Sequence, residues 1–178
     1  QLVGGGDNDR IYCGNLDDVA MGDAGADMLQ GDAGDDVLNG GSENDRLYGG
    51  SGDDVLNGDA GIDLLDGSGG MDRYNGGAGA DRLFSRLDGV QDTFDFDLGA
   101  GADRIFRYEL GIDRIGLSAD FGFTSGADAL ANMTAAVINS GGHAVLNLNG
   151  VDTIQIINFA LLNPGGAISD LADDIYIF

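Results

Sequence analysis

The chain has 178 residues, of which 43% are apolar, and a formal net charge of −23 at pH 7. Its eight basic residues are scattered arginines, a pattern that argues against nucleic-acid binding and against a polybasic membrane anchor. No apolar run is long enough to span a bilayer, and the single cysteine, Cys13, cannot form an internal disulfide.

A nine-residue phrase, G-G-x-G-x-D-x-U-x with an apolar residue at U, repeats nine times from Gly4 to Phe84. Position one is Gly in eight copies, and we expect Cys13 to fill this small position as an unreactive thiol. Position six is always Asp: Asp9, Asp18, Asp27, Asp36, Asp45, Asp54, Asp63, Asp72 and Asp81. Position eight is one apolar residue per copy: Ile11, Ala20, Leu29, Leu38, Leu47, Leu56, Leu65, Tyr74 and Leu83. A disordered Gly/Asp linker would not need this fixed phase.

The repeat predicts a stacked coil rather than a hairpin sheet. Three residues of strand followed by six of turn are too short to hold a hairpin in register. Two copies per turn would place each copy beside the copy two places further on, one strand spacing of about 4.8 Å away. We therefore predict an all-β fold over residues 1–84, a right-handed parallel β-roll with the position-eight side chains pointing inward.

The aspartates at position six predict calcium sites in the turns. Ca²⁺ takes 6–8 oxygen ligands, and nine copies offer seven pairs of adjacent loops that could share an ion. Gly4 to Phe84 carries seventeen Asp and Glu43 against four Arg, a net charge of −14 that seven divalent ions would neutralise. Metal binding would then supply folding free energy to a chain that otherwise repels itself.

Residues 85–117 are predicted to continue the roll irregularly. The phrase returns with insertions around Asp92, Asp103 and Asp113, and it places Phe94, Ile105 and Ile115 in the inward position. Arg104 and Arg114 lie next to two of these aspartates in sequence. These arginines could satisfy the charge as ion pairs. We favour a structural role over metal binding for the three carboxylates, and both alternatives stay open.

Residues 118–178 are predicted to form a strand-rich cap that covers the open end of the roll. Gly126 to Ile138 has helical spacing after the capping residue Ser125. His143 to Leu148 and Thr153 to Phe159 alternate as two strands of a hairpin around Asn149-Gly150. The acidic and then apolar ending, Asp173 to Phe178, predicts a final strand.

In these motifs the chain resembles the RTX (repeats-in-toxin) family of secreted calcium-binding proteins, whose parallel β-roll carries the same nonapeptide. The resemblance implies that the position-six aspartates bind Ca²⁺ together with loop carbonyl oxygens. Those carbonyls would here come from Gly25, Gly34, Gly41, Gly50, Gly52, Gly61, Gly70, Gly77 and Gly79. Leu16 and Glu43 at position four, with Ala20 at position eight, depart from the pattern in copies two and five. The resemblance also implies secretion from a Gram-negative bacterium, with the last six residues as an uncleaved signal for the type I secretion machinery.

No enzyme site is predicted. His143 is the only histidine, which excludes a histidine metal cluster, and no G-x-S-x-G motif accompanies it. The favoured hypothesis is a secretion and calcium-folding module at the C-terminus of a larger exoprotein, with Gln1 as a cut or processed edge. The alternative is a self-standing structural or adhesive surface protein, such as an S-layer, filament or adhesin subunit that calcium organises.

Overall fold

The computed structural model describes residues 1–132, 135–138, 143–157 and 168–178. It shows an all-β protein, a parallel β-solenoid of about six turns with one short α-helix. Two nine-stranded sheets form the opposite faces of a flattened coil, and successive strands alternate between them through the repeats. The predicted fold class is confirmed.

The first sheet has the strand order β1-β3-β5-β7-β9-β12-β14-β18, with β10 paired to β7. Its strands are β1 (Leu2–Gly5), β3 (Val19–Ala24), β5 (Val37–Ser42), β7 (Val55–Gly61), β9 (Arg73–Asn75), β10 (Ala78–Gly79), β12 (Thr93–Phe96), β14 (Arg114–Leu117) and β18 (Ile175–Ile177). The second sheet has the order β15-β16-β17-β13-β11-β8-β6-β4-β2. Its strands are β2 (Arg10–Asn15), β4 (Met28–Ala33), β6 (Arg46–Ser51), β8 (Leu64–Gly69), β11 (Arg82–Phe84), β13 (Ala102–Phe106), β15 (Ala135–Ile138), β16 (Ala144–Asn147) and β17 (Thr153–Ile156).

The strand register confirms that each copy of the repeat stacks on the copy two places further on. Leu29 pairs with Leu47 in one sheet and Leu38 pairs with Leu56 in the other, a shift of two nonapeptides in each case. Most repeat strands are six residues long, not the three we expected, because the turn backbone also pairs between copies. Between β4 and β6, for example, the pairing is interrupted at position one and resumes where Asp32 pairs with Gly50.

The position-eight side chains form the core, as predicted. In copies two to nine these side chains, from Ala20 to Leu83, are fully shielded from water. Ile11 keeps 8% of its surface exposed because no copy lies before it on that sheet. In copy eight, Tyr74 stacks on Phe94 at a ring distance of 4.7 Å, and its hydroxyl donates to the carbonyl oxygen of Phe84.

Insertions after Phe84 are absorbed in the turns, so the solenoid continues. Tyr74 pairs with Phe94, Leu83 with Ile105, and Phe94 with Ile115, with all of these side chains buried. The predicted inward positions of Phe94, Ile105 and Ile115 are therefore confirmed.

The C-terminal region covers the last turn of both sheets. β18 pairs in parallel with β14, while β17 pairs with β13 and begins an antiparallel β17-β16-β15 extension. The hairpin around Asn149-Gly150 and the final strand are confirmed in type. Their bounds are shorter than predicted, and residues 158–159 lie outside the described residues.

The predicted helix over Gly126 to Ile138 is partly wrong. Helix α1 (Gly126–Asn132) begins as expected, with Ser125 accepting from the Asp128 amide at 3.1 Å. Ala135–Ile138 is instead strand β15, because Val137 and Ile138 are β-branched residues beside the open edge of β16. Within the described ranges, no helix has the length and apolarity needed to cross a membrane.

Candidate metal sites

The position-six aspartates form two columns, one along each edge of the flattened coil. The odd edge consists of the loops of copies one, three, five, seven and nine, and its column is Asp9, Asp27, Asp45, Asp63 and Asp81. The even edge consists of the loops of copies two, four, six and eight, and its column is Asp18, Asp36, Asp54 and Asp72. Consecutive members of a column immediately precede hydrogen-bonded neighbouring strands, so carboxylates of like charge are stacked.

One oxygen of each stacked carboxylate has a backbone partner. Asp54 Oδ1 accepts from the amide of Asp36 at 2.8 Å, and the amide of Asp54 donates to Asp72 Oδ1 at 3.0 Å. The same bond joins Asp27 to Asp45 on the odd edge at 2.7 Å. Each side chain therefore points back toward the preceding copy on its own edge, into the space between two loops.

The second oxygen, Oδ2, has no hydrogen-bond partner in seven of these carboxylates, although it is buried. The seven are Asp27, Asp36, Asp45, Asp54, Asp63, Asp72 and Asp81. Each of these residues exposes 2% of its surface or less. A buried charged oxygen without a partner costs several kcal/mol, so it requires a proton or a cation. Hard oxygen donors of this kind suit Ca²⁺. The residues present therefore fit a calcium ion between adjacent loops.

In copies three to nine, position one is glycine because the aspartate carboxylate occupies the space of a side chain. A Cβ at Gly49 would lie 2.3 Å from Asp54 Oδ2, and a Cβ at Gly22 would lie 2.3 Å from Asp27 Oδ2. The same point at Gly22 is 2.5 Å from the carbonyl oxygen of Gly40. The position-one glycines do not adopt positive φ, which falls at positions two and four instead.

The predicted carbonyl ligands lie in the turns at both edges. All of these glycines except Gly79 adopt positive φ: Gly25, Gly34, Gly41, Gly50, Gly52, Gly61, Gly70 and Gly77. Their carbonyl groups face the next copy: a Cβ at Gly52 would lie 2.2 Å from the Gly34 oxygen, and one at Gly79 would lie 1.6 Å from the Gly61 oxygen. The turns thus align carbonyl oxygens along each edge, and the assignment of each as a ligand stays a prediction.

Copies one and two differ from the later copies. Asp9 and Asp18 are half-buried, and their amides donate to Asp27 and Asp36. Neither carboxylate has an earlier copy to point into. In copy five, Glu43 departs from the repeat at position four, yet Asp45 keeps its buried, unpartnered oxygen. The departure in copy five therefore does not disrupt the site geometry.

Asp92, Asp103 and Asp113 continue the two columns. Their Oδ1 atoms accept from the amides of Asp72, Asp81 and Asp92 at 2.9–3.0 Å. Asp113 Oδ2 also accepts from the Glu109 amide at 2.7 Å, so both of its oxygens have protein donors.

In the part of the chain that the structure describes, the ion pairs that Arg104 and Arg114 could have formed with the neighbouring aspartates are not found. Arg114 donates to the carbonyl oxygen of Asp173, and the ion pair found among the described residues joins Arg73 to Asp95 at 2.5 Å. Backbone amides, rather than arginines, therefore partner these aspartates.

Two buried carboxylates were not singled out by the sequence analysis because they lie outside the nonapeptide phase. Asp152 accepts from the amides of Gly99 and Gly101 at 3.0 and 2.9 Å. Asp174 accepts from the Gly111 amide at 3.0 Å and from the Tyr108 hydroxyl at 3.2 Å. Both aspartates anchor the cap to the last turns of the solenoid, and no sequence periodicity marks them.

Burial changes the acidity of the stacked carboxylates. Burial away from water, followed by repulsion from neighbouring aspartates, raises the pKa of Asp54 and of Asp63 to about 7. The same causes raise the pKa of Asp45 and of Asp72 to about 6. Burial likewise raises the pKa of the Cys13 thiol to about 11, which agrees with an unreactive cysteine.

The described ranges contain no group of three or more His, Cys, Asp or Glu side chains arranged around one point as metal ligands. The arrangement is a stack of aspartate-containing turns on a parallel β-solenoid. This is the architecture of calcium-binding folds that are built from repeats.

Comparison with known families identifies the repeats. The family model for the RTX calcium-binding nonapeptide repeat (four copies) matches residues 14–47 and 48–83. Residues 14–83 therefore consist of RTX calcium-binding nonapeptide repeats. The solenoid that such repeats form is a structural calcium-binding fold and not a catalytic one. No curated protein matches the chain.

Two solved structures are similar to the chain. One is the extracellular lipase LipA from Serratia marcescens, with 15% identity and a TM-score of 0.44 over 97% of this chain. The chain spans 38% of the length of that lipase chain. The other is a subunit of the mannuronan C5-epimerase from Azotobacter vinelandii, with 28% identity and a TM-score of 0.31, covering 91% of this chain and 78% of that one.

A first prediction concerns the space at position one. Gly49→Ala places a methyl group 2.3 Å from Asp54 Oδ2, so we expect the calcium concentration at half-folding to rise by about tenfold or more. Gly6→Ala is the control, because a Cβ there meets nothing within 4 Å and its φ is not positive. Calcium titration followed by circular dichroism measures both variants. Equal midpoints for the two would contradict the close approach.

A second prediction concerns pH. The pKa values of Asp54 and Asp63 rise from 3.8 to about 7 on folding. At any pH between these two pKa values, the calcium-free folded state therefore binds more protons than the unfolded chain. Stability of the calcium-free fold therefore falls as pH rises through this window. In chelator, the β-sheet signal should be larger at about pH 5.5 than at about pH 8. Calcium competes with these protons, so its affinity should change in the opposite direction. A chelator spectrum that is the same at both pH values would refute the linkage.

Proposed function

We propose that this chain is a calcium-dependent folding module that binds about seven Ca²⁺ ions between its stacked loops. The observation that carries the proposal is the set of seven buried, unpartnered Asp Oδ2 atoms. Their number equals the seven loop pairs that nine copies provide. Each lies where two turns of the same edge meet, so one ion would compensate charge and join two copies.

The charge of the repeat region supports the same number of ions. Gly4 to Phe84 has a net charge of −14, and seven divalent cations would neutralise it. Without cations the stacked carboxylates repel each other at a distance of about one strand spacing. Because the unfolded chain has no preformed sites, the free energy of calcium binding becomes free energy of folding.

We further propose that the module folds outside the cell and is exported by the type I secretion machinery of a Gram-negative bacterium. RTX calcium-binding repeats are typical of secreted Gram-negative proteins, which supports this location. Low calcium inside a cell would keep the repeats unfolded for export, and high calcium outside would fold them. The residues Asp173 to Phe178 are the proposed secretion signal, and they also supply strand β18. Any enzymatic or adhesive activity of the protein would reside in a domain beyond the repeats.

The folding proposal predicts a metal-dependent transition. In chelator at neutral pH, the chain should be largely disordered, and in millimolar Ca²⁺ it should be rich in β-structure. Mg²⁺ should substitute poorly, because it demands a rigid octahedral geometry and retains its waters. Far-ultraviolet circular dichroism follows the transition, and isothermal titration should count about seven ions. An unchanged spectrum on chelation would refute the proposal.

The stacked geometry also predicts that interior aspartates matter more than terminal ones. Asp54 bonds to Asp36 on one side and to Asp72 on the other, whereas the Asp9 carboxylate lies at the first turn. Asp54→Ala should therefore lower both the number of bound ions and the cooperativity of folding. Asp9→Ala, the matched control, should remove one terminal site at most. Equal losses for the two variants, measured by isothermal titration, would contradict sharing between copies.

A further inference from the structure

The two edges of the solenoid differ at position five of the repeat, next to the aspartate column. On the even edge this position holds Asp17, Asp35 and Asp53 in copies two, four and six. On the odd edge it holds neutral residues in every copy: Asn8, Ala26, Asn44, Ile62 and Ala80. The core and the strand register do not require this difference, because position five lies in the turn and is exposed on both edges.

The position-five carboxylates on the even edge point forward along the stack. Asp17 Oδ1 accepts from the amide of Asp35 at 2.9 Å, and Asp35 Oδ1 accepts from the amide of Asp53 at 2.8 Å. Asp53 Oδ1 accepts from the amide of Met71 at 2.8 Å. Each of these side chains therefore reaches from its own copy into the loop two copies further on.

The position-six carboxylates point backward into the same gaps. Asp36 reaches from copy four toward copy two, where Asp17 reaches forward. Asp54 in the same way faces the gap that Asp35 enters. Each of the three gaps on the even edge thus receives two aspartates from opposite sides, whereas position five contributes only neutral side chains to the gaps on the odd edge.

Both carboxylates of a gap bridge the same two loops. The position-six residues of these gaps, Asp36, Asp54 and Asp72, are buried and keep an unpartnered Oδ2. A Cβ at Gly52 would lie 2.2 Å from the Gly34 carbonyl oxygen and 2.9 Å from Asp35 Oδ1. The position-five carboxylate therefore sits beside the turn carbonyls that face the next copy.

We propose that Asp17, Asp35 and Asp53 are additional calcium-site residues, and that they make the three sites of the even edge bind calcium more tightly than the sites of the odd edge. The inference rests on the proposed calcium sites. Calcium affinity in oxygen-ligand sites rises with the number of charged ligands. The even edge consequently loads first as calcium increases, and the odd edge completes the fold.

Outside positions five and six, the odd edge carries Asp7 and Glu43 at position four and Asp23 and Asp59 at position two, and the even edge carries Asp32 at position two. The difference between the edges therefore lies in position five and not in the total number of acidic residues. Among these residues, Glu43 hydrogen-bonds to a neighbouring loop. Its Oε2 accepts from the Gly25 amide at 2.9 Å and from the Ser42 hydroxyl at 2.8 Å. It adds a carboxylate to a single odd-edge gap, between copies three and five. The even edge has a position-five carboxylate in each of its three gaps.

The chain itself provides an isosteric test. On the odd edge Asn8 Oδ1 accepts from the Ala26 amide at 2.9 Å, and Asn44 Oδ1 accepts from the Ile62 amide at 2.8 Å. These are the hydrogen bonds that Asp17 and Asp35 make on the even edge. Asp35→Asn therefore keeps the bond to Asp53 and removes only the charge, and Asn44→Asp adds the charge on the other edge.

The experiment is a calcium titration of the full chain, followed by the amide resonances of Asp36 and Asp54 on the even edge and of Asp27 and Asp45 on the odd edge. In the unmodified chain, the even-edge amides should reach their calcium-bound positions at a lower calcium concentration. Asp35→Asn should raise the even-edge midpoint by about three- to tenfold, and Asn44→Asp should lower the odd-edge midpoint. Asp120→Asn, an exposed change outside the repeats with the same loss of charge, controls for net charge.

The outcomes separate this inference from the proposed function. The assignment is supported if Asp35→Asn raises the calcium midpoint of the even edge, Asn44→Asp lowers that of the odd edge, and Asp120→Asn leaves both midpoints close to those of the unmodified chain. An Asp35→Asn midpoint that equals that of Asp120→Asn overturns it, as does weaker binding in Asn44→Asp, while calcium binding by the repeats would still stand. A chain that shows no response to calcium at all would overturn the proposed function itself.

Discussion

The structure depends on carboxylates that are stacked one strand spacing apart and buried with one oxygen lacking a partner. Parallel pairing of each copy with the next on its edge places Asp36, Asp54 and Asp72 in one column and leaves Oδ2 of each without a donor. The same pairing makes the leucine column of the core, so the core cannot form without bringing these charges together. Charge compensation and core formation are therefore a single event in this fold.

The first and last turns resolve the charge problem in different ways. Toward the N-terminus the turns offer carbonyl oxygens and carboxylates, which only a proton or a cation can bridge. Toward the C-terminus, backbone amides reach both oxygens of a carboxylate: Asp113 receives the amides of Asp92 and Glu109, and Asp152 receives those of Gly99 and Gly101. The cap end thus carries its compensation within the chain. A turn that is stable without metal can then template the turn before it, so folding should propagate from the cap toward Gln1.

The nine-residue periodicity of the sequence was sufficient to predict the core, the columns of aspartates and the pairing between alternate copies. Each depends on periodicity alone, as the pairing of Leu38 with Leu56 shows. Contacts that depend on side-chain direction could not be predicted. The need for glycine at Gly49 comes from the folded position of Asp54, not from its own φ, and nothing in the phrase gives that direction. Helix α1 ended early for a similar reason, since β16 offered Ala135–Ile138 an open edge that local helical spacing does not reveal.

The contrast between position five and position six explains how one short phrase can encode both structure and site strength. In copies three to nine, the position-six carboxylate lies between a glycine and the preceding loop on its edge. Position five is free to vary, since Asp35 and Asn44 make the same backbone hydrogen bond from an exposed turn. Charge can therefore be added or removed at position five without altering the stack. A solenoid built in this way can set the calcium response of each edge separately while its core and register stay constant.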